Sequence, residues 1–218
     1  MFSGLPALVL RVLSTIPCFA DDDGSNIGSL RLVDTDGDGM ILQEELYMVR
    51  SLSNHSDRHN SIFQDNTNIV SFNEFRFFTN LNNINSSHFT NCVNLKEIEL
   101  PVGITAIRDS VFSQCSFLEQ IVIPEGYQSI GSNMCNGCTS IKLVDIPSST
   151  NSIGRGLIWG VNNQVTVICR AVTPPAFSTL NANPLVLYVP DESLSVYQSA
   201  SGWSQYAKYM KPLSEYTG

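Results

Sequence analysis

Apolar positions along this chain recur at one spacing through several successive stretches. Phe89, Cys92, Leu95, Ile98, Leu100 and Ile107 return 23 residues later as Phe112, Cys115, Leu118, Ile121, Ile123 and Ile130, and Pro101 returns as Pro124. A third stretch supplies Cys135, Cys138, Ile141, Val144, Ile146, Pro147 and Ile153. A unit of that length is too small to bury its own apolar face, so it must stack on neighbours of the same kind. The pattern therefore predicts a solenoid of mainly short β-strands and coil with few helices. Within each unit, alternate residues such as Ile98 and Leu100 turn inward at the period of a strand. The proline that follows ends the strand, because it has no N–H to donate and fixes its own φ.

Both ends of the repeat need a cap, since an uncovered last coil would leave its core face in water. At the N-terminal side, Phe75, Phe77 and Ile84 lie one period before Ile98, Leu100 and Ile107, which predicts a partial coil beginning near residue 69. The same segment also reads as a second, degenerate calcium loop, with Phe63 at a ligand position where phenylalanine cannot coordinate. At the other side a fourth coil is eroded: Val165, Val167 and Cys169 keep the phase, but Gln164 stands where an apolar residue is expected. The prolines of AVTPPAF then break the pattern. A strand over 185–189 and a helix with Asp191 as its N-cap follow, and Leu194, Val196, Tyr197, Ala200, Trp203 and Tyr206 are the candidates to cover the open end. The expected organisation is an export signal over 1–20, a small helical calcium-loop segment and linker over 21–68, repeats over 69–170, and a strand-plus-helix C-terminal cap over 171–218.

The chain has 218 residues, 43% hydrophobic and 15% charged, which suits one globular unit. A net charge of -8 argues against nucleic acid as a partner, because such binders present a basic face to phosphate. The apolar run that ends at Cys18, Phe19 and Ala20, ahead of Asp21, Asp22 and Asp23, reads as a signal cut after Ala20. Lipidation of Cys18 is the alternative, which would tether the protein to a membrane. No other stretch approaches the roughly 20 apolar residues of a transmembrane helix. Six cysteines in an exported chain would suggest disulfides, but Cys92, Cys115 and Cys138 share one phase of the repeat. They are expected to stack as small buried side chains, with the Cys135-x-x-Cys138 run a by-product.

One segment carries explicit chemistry. DTDGDGMILQEE fits the twelve-residue EF-hand-like loop, with Asp34, Asp36 and Asp38 as carboxylate ligands, Met40 through its carbonyl and Glu45 as the bidentate acid. Gly39 permits the sharp turn, and Leu42 at the ninth position leaves room for a water. A single intact loop is expected to hold Ca²⁺ structurally and not as a switch, since sensing uses paired loops. His55 and His59 sit in a polar stretch that reads as a solvated loop, and His88 has no evident partner. Asn54 and Asn85 lie in N-x-S contexts. Neither a nucleophile elbow nor a phosphate-binding glycine loop is present, and the chain is read as a binder and not an enzyme.

The units FTNCVNLKEIELPVGITAIRDS and FSQCSFLEQIVIPEGYQSIGSN, and the ending LVLYVPDESLSVYQSASGW, resemble the BspA-like leucine-rich repeats of surface proteins from mucosal anaerobic bacteria. The resemblance spans roughly residues 69 to 212 and implies a secreted or cell-surface adhesin, with a host surface or matrix protein as ligand. An assembly subunit of a surface complex is the alternative. From the pattern alone, the outward strand positions form two rows. The first is Glu97, Gln120, Leu143 and Thr166, and the second is Glu99, Val122, Asp145 and Ile168. These rows are the candidate binding face, with Glu97, Glu99, Gln120, Val122, Leu143 and Asp145 as its residues.

Overall fold

The computed structural model describes residues 63–161, 164–181 and 185–218. Each repeat places one short strand in a main ladder and a second in a return ladder, and every pairing is parallel. The main ladder runs β1 (Ser71–Phe72), β2 (Glu97–Ile98), β4 (Gln120–Val122), β6 (Leu143–Ile146), β8 (Val165–Cys169), β10 (Leu185–Val189) and β11 (Met210–Pro212). Its hydrogen bonding divides into a β1–β2 pair and a five-stranded sheet in the order β11-β10-β8-β6-β4. The return ladder joins β3 (Ala106–Ile107), β5 (Ser129–Ile130), β7 (Ser152–Ile153) and β9 (Ala176–Phe177), with an isolated bridge from Ile84 to Ile107. Among the described residues the helices are few and short: several 3₁₀ turns and α1 (Leu194–Ser199).

The 23-residue spacing becomes register. Ile121 pairs with Val144 and Val144 with Val167, so inward residues of successive coils sit on one another. A one-residue slip would turn every such side chain outward, and the core resists it: Leu95, Leu118, Ile121, Ile141, Val144 and Val167 are fully buried. The turns stack too. Phe89 N–H donates to Val111 O, Phe112 N–H to Met134 O and Cys135 N–H to Leu157 O. Left-handed backbone recurs at the same period, at Asn91 (φ 61), Gln114 (φ 64), Gly137 (φ 75) and Gly160 (φ 72). Glycine adopts that conformation without strain, which is why Asn136-Gly137 interrupts the Cys135-x-x-Cys138 run.

The cysteines do more than fill space. The thiols of Cys92, Cys115 and Cys138 donate to the carbonyls of Phe63, Phe89 and Phe112, at 2.9, 3.0 and 3.0 Å. Each thus ties its coil to a carbonyl of the preceding one, which accepts a second hydrogen bond besides that from a backbone N–H three residues on. Cys92, Cys115, Cys135, Cys138 and Cys169 are all buried and free of disulfides.

The first coil departs from the expected register. Ser71 and Phe72 pair with Glu97 and Ile98 at a separation of 26, whereas Ile84 keeps the 23-residue match to Ile107. Phe72, and not Phe75, therefore occupies the strand core position. The extra length goes into the 3₁₀ turn Asn73–Phe77, which folds Phe75 under the coil. Phe63, placed by sequence in a linker, stacks flat on Phe89, at 5.0 Å between centroids and 2° between planes. Phe72 lies 5.3 Å from Phe63 and Phe75 lies 5.2 Å from Phe89, and Phe78 packs in turn on Phe72 and Phe75 at 6.2 and 5.4 Å.

The C-terminal end also differs from expectation. AVTPPAF does not end the stacking, because Ala176 and Phe177 pair with Ser152 and Ile153. The eroded coil keeps full-length β8, whose Val165 is buried while Gln164 is exposed. Asp191 is not a helix N-cap; the 3₁₀ turn Asp191–Ser193 precedes α1, and the Asp191 Oδ1 accepts from Ser214 N–H. Val196 is 50% exposed, whereas Tyr197 and Trp203 are fully buried. Their polar tips bond to the coil they cover: Tyr197 Oη–H to Ala171 O at 2.7 Å and Trp203 Nε1–H to Pro175 O at 2.8 Å. Leu180 N–H donates to Tyr206 Oη. Gly202 holds φ +80 where a Cβ would strike Phe177 O. The outer strand β11, Met-Lys-Pro, carries the lysine and proline that discourage further pairing at an edge.

Candidate functional site

Outward residues of the main ladder form a continuous face because each coil adds one strand at the spacing of a sheet, roughly 4.8 Å. On the first row Glu97 and Gln120 are exposed, and Leu143 and Thr166 are half-buried. On the second row Glu99 is exposed and Val122 is 50% exposed, but Asp145 and Ile168, expected outward, are buried at 8% and 0%. Asp145 is covered by Arg170, which meets it in a two-pronged contact, Nε to Oδ1 at 2.8 Å and Nη2 to Oδ2 at 2.7 Å. This fork geometry is the strong form of a charged hydrogen bond. The Asp145 carboxylate raises the Arg170 pKa further, first through the hydrogen bond.

The open part of the face holds two adjoining grooves. One, of about 520 Å³, is lined by Val70, Ser71, Lys96, Glu97, Glu119, Gln120, Lys142 and Leu143. The other, of about 290 Å³, is lined by Asn73, Glu97, Ile98, Glu99, Leu100, Gln120, Val122 and Pro124. Glu97 and Gln120 border both, on either side of the seam between the β1–β2 pair and the five-stranded sheet. That seam is bridged by Glu119 N–H to Lys96 O at 3.3 Å.

The charges of the face are held in place by neighbouring coils. Lys142 Nζ lies 2.7 Å from Glu119 Oε2 and Arg76 Nη1 lies 3.0 Å from Glu99 Oε2. Glu97 Oε1 accepts from Ser71 Oγ at 2.8 Å and Asn73 Nδ2 at 3.3 Å. The Lys142 hydrogen bond and charge lower the Glu119 pKa, and Lys96 adds to the effect. Exposed pairs of this kind contribute little to folding. They fix where charge is presented, to a partner as much as to each other. Lys96, Glu119 and Lys142 were not among the sequence candidates, although they recur at the repeat period just ahead of each strand. Their phase was legible; that the face extends that far was not, because the strands themselves begin one residue later.

The calcium-loop residues Asp34, Asp36, Asp38, Met40 and Glu45 lie outside the described residues, as do His55, His59 and the expected export signal with Cys18. Among the described residues no group of three His, Cys, Asp or Glu side chains is placed to hold a metal ion. No helix among them is long and apolar enough to cross a membrane.

No curated protein matches the chain. Among solved structures, the chain is similar to the T. pallidum leucine rich repeat protein (TpLRR), over 72% of this chain and 75% of that one, at 22% identity and a TM-score of 0.46. A family model described as the BspA type leucine rich repeat region, in six copies, matches residues 53–165. That span takes in the coils whose register, thiol ladder and strand face are set out above, and the chain belongs to the BspA type leucine-rich repeat family.

Proposed function

We propose that the protein is a secreted or cell-surface binding protein whose leucine-rich repeats form a solenoid that recognises a protein ligand through the face of β1, β2, β4 and β6. The observation that carries this reading is the pair of grooves meeting at Glu97 and Gln120, where positioned charges lie beside exposed Val70 and Val122. An open face of alternating lysine and glutamate with apolar residues between them suits a polypeptide surface better than an enclosed small molecule. Membership of the repeat family supports a protein-interaction role, and the resemblance to surface proteins supports a host matrix or cell-surface ligand. The loop from Asp34 to Glu45 would bind one Ca²⁺ through oxygen ligands and stiffen the segment ahead of the repeats. An assembly role in a surface complex is the competing reading.

Binding of the chain from Asp21 onward to an array of matrix proteins, mucins and glycans, in millimolar calcium and in EDTA, tests the reading. A saturable protein hit is expected. Silence across the array, together with a defined oligomer by light scattering, would replace it with the assembly role. If calcium is structural, EDTA lowers the melting temperature while leaving the affinity of the folded chain unchanged; a change in affinity would make the loop a regulator.

A further inference from the structure

Exposure falls along the second outward row, from exposed Glu99 to Val122 at 50%, Asp145 at 8% and Ile168 at 0%. An isoleucine at an outward strand phase with no exposure must have something lying over it. The Cα partners of Ile168 on the flanking strands are Asp145 and Tyr188. On the first side, Arg170 reaches back to grip Asp145. On the second, the Tyr216 ring packs on the Tyr188 ring, at 5.2 Å between centroids and 60° between planes. Ile168 is thus flanked by the ion-paired Asp145 on one side and by Tyr188, with Tyr216 packed on it, on the other.

The segment that carries Tyr216 is lightly held. Leu213–Glu215 is a 3₁₀ turn with no buried residue. Its tethers are exposed: Ser214 N–H to Asp191 Oδ1 at 3.0 Å, and Lys211 to Glu215 at 4.0 Å with both side chains about half exposed. Contacts of this kind add little stability, and segments with few buried apolar contacts open well below the cost of global unfolding. The rest of the C-terminal cap is held differently, by fully buried Tyr197 and Trp203.

We propose that Leu213–Tyr216, together with Arg170, is a detachable strap that covers the strand face at β8 and competes there with a protein ligand. Its release uncovers Ile168, next to Asp145 on the outward row. The strap rests on the reading of this face as the binding surface, but its test needs no ligand. The chain ended after Pro212 is compared with the full chain for binding of the dye 1-anilinonaphthalene-8-sulfonate, which reports exposed apolar surface. Dye fluorescence is expected to rise about twofold or more, with the melting temperature kept within about 4 °C. Ile168→Thr in the shortened chain should abolish the gain. Asp191→Ala in the full chain, which cuts the tether and removes no residue, should give a smaller gain of the same sign. An unchanged dye signal in a folded chain would overturn the strap. So would a gain that survives Ile168→Thr, or a loss of more than about 10 °C on shortening, which would make the segment part of the fold. A dye gain without any strand-face ligand would leave the cover over β8 standing and overturn the binding reading together with the competition; a strand-face ligand without a dye gain would overturn the strap alone.

Discussion

His88 lies edge-on to the stacked rings of Phe63 and Phe89, at 6.2 and 6.1 Å, 1% exposed and with no hydrogen-bond partner for Nδ1. Burial lowers its pKa from 6.5 to about 4, since a charged imidazole there would lose its hydration. The unfolded chain takes up the proton near pH 6.5 and the folded chain only near pH 4. Stability from this residue is therefore complete above about pH 6.5, falls as the pH drops towards 4, and is level below that. The loss over the window is about 3 kcal/mol. Urea midpoints at pH 7 and pH 4.5 should differ more for the parent than for His88→Phe; equal differences would show that His88 is not buried. The thiols make a second prediction at this scale. Burial pushes Cys92 up to about 12 and Cys169 up to about 11, and it raises Cys115 further. The hydrogen bond with Cys135, and then burial, raise Cys138. Since the thiolate is the reactive form, these cysteines should resist alkylation at pH 8 and label fully in denaturant. Labelling of the native chain at any of them would contradict the ladder. Their burial was legible from the repeat; their hydrogen bonds were not, because Cys92, Cys115 and Cys138 donate to backbone carbonyls one coil back and the Cys169 thiol meets the Tyr197 hydroxyl. The left-handed positions were hidden likewise, since Asn91 and Gln114 stand in two coils where Gly137 and Gly160 stand in the next two.

Among the elements, the middle coils were the most legible, because Phe, Cys, Leu, Ile and Pro all repeat there at one phase. The first coil misled by its 26-residue strand spacing, and its several phenylalanines let either Phe72 or Phe75 satisfy an apolar pattern. The cap aromatics were recognised as a cover, but β11 was missed: Met-Lys-Pro is too short and too polar to read as a strand, and it forms only because Leu187 offers Met210 an edge. The cap should be indispensable. Trp203→Ala, which empties a fully buried site and frees Pro175 O, is expected to cost about 3–5 kcal/mol in urea unfolding. Tyr197→Phe removes one hydroxyl that donates to Ala171 O and receives the Cys169 thiol at 3.2 Å, a loss of about 1–3 kcal/mol. A cap that merely rests on the stack would show no measurable change for either substitution.

For the whole molecule, the phase of the repeat marked the outward rows of the strand face but not its limits. Two of the expected outward positions, Asp145 and Ile168, are buried, and Asp145 is paired with Arg170, a contact that no periodic argument reaches. At its other side the face reaches beyond the two outward rows, to Lys96, Glu119 and Lys142 just ahead of the strands. Asp145 is consequently a poor choice for testing the face, since its loss would free a paired arginine as well as alter the surface. Glu97, Gln120 and Leu143 are better, because none of them belongs to the fully buried core. The most direct measurement is the affinity of the ligand found on the array for Glu97→Lys, Gln120→Lys and Leu143→Glu combined. Trp159→Ser, at a turn residue that is 57% exposed, serves as the control. If the strand face is the recognition surface, the triple variant keeps its melting temperature and loses binding by at least about tenfold, about 1.4 kcal/mol, while Trp159→Ser binds as the parent does. Full binding by a folded triple variant would contradict it.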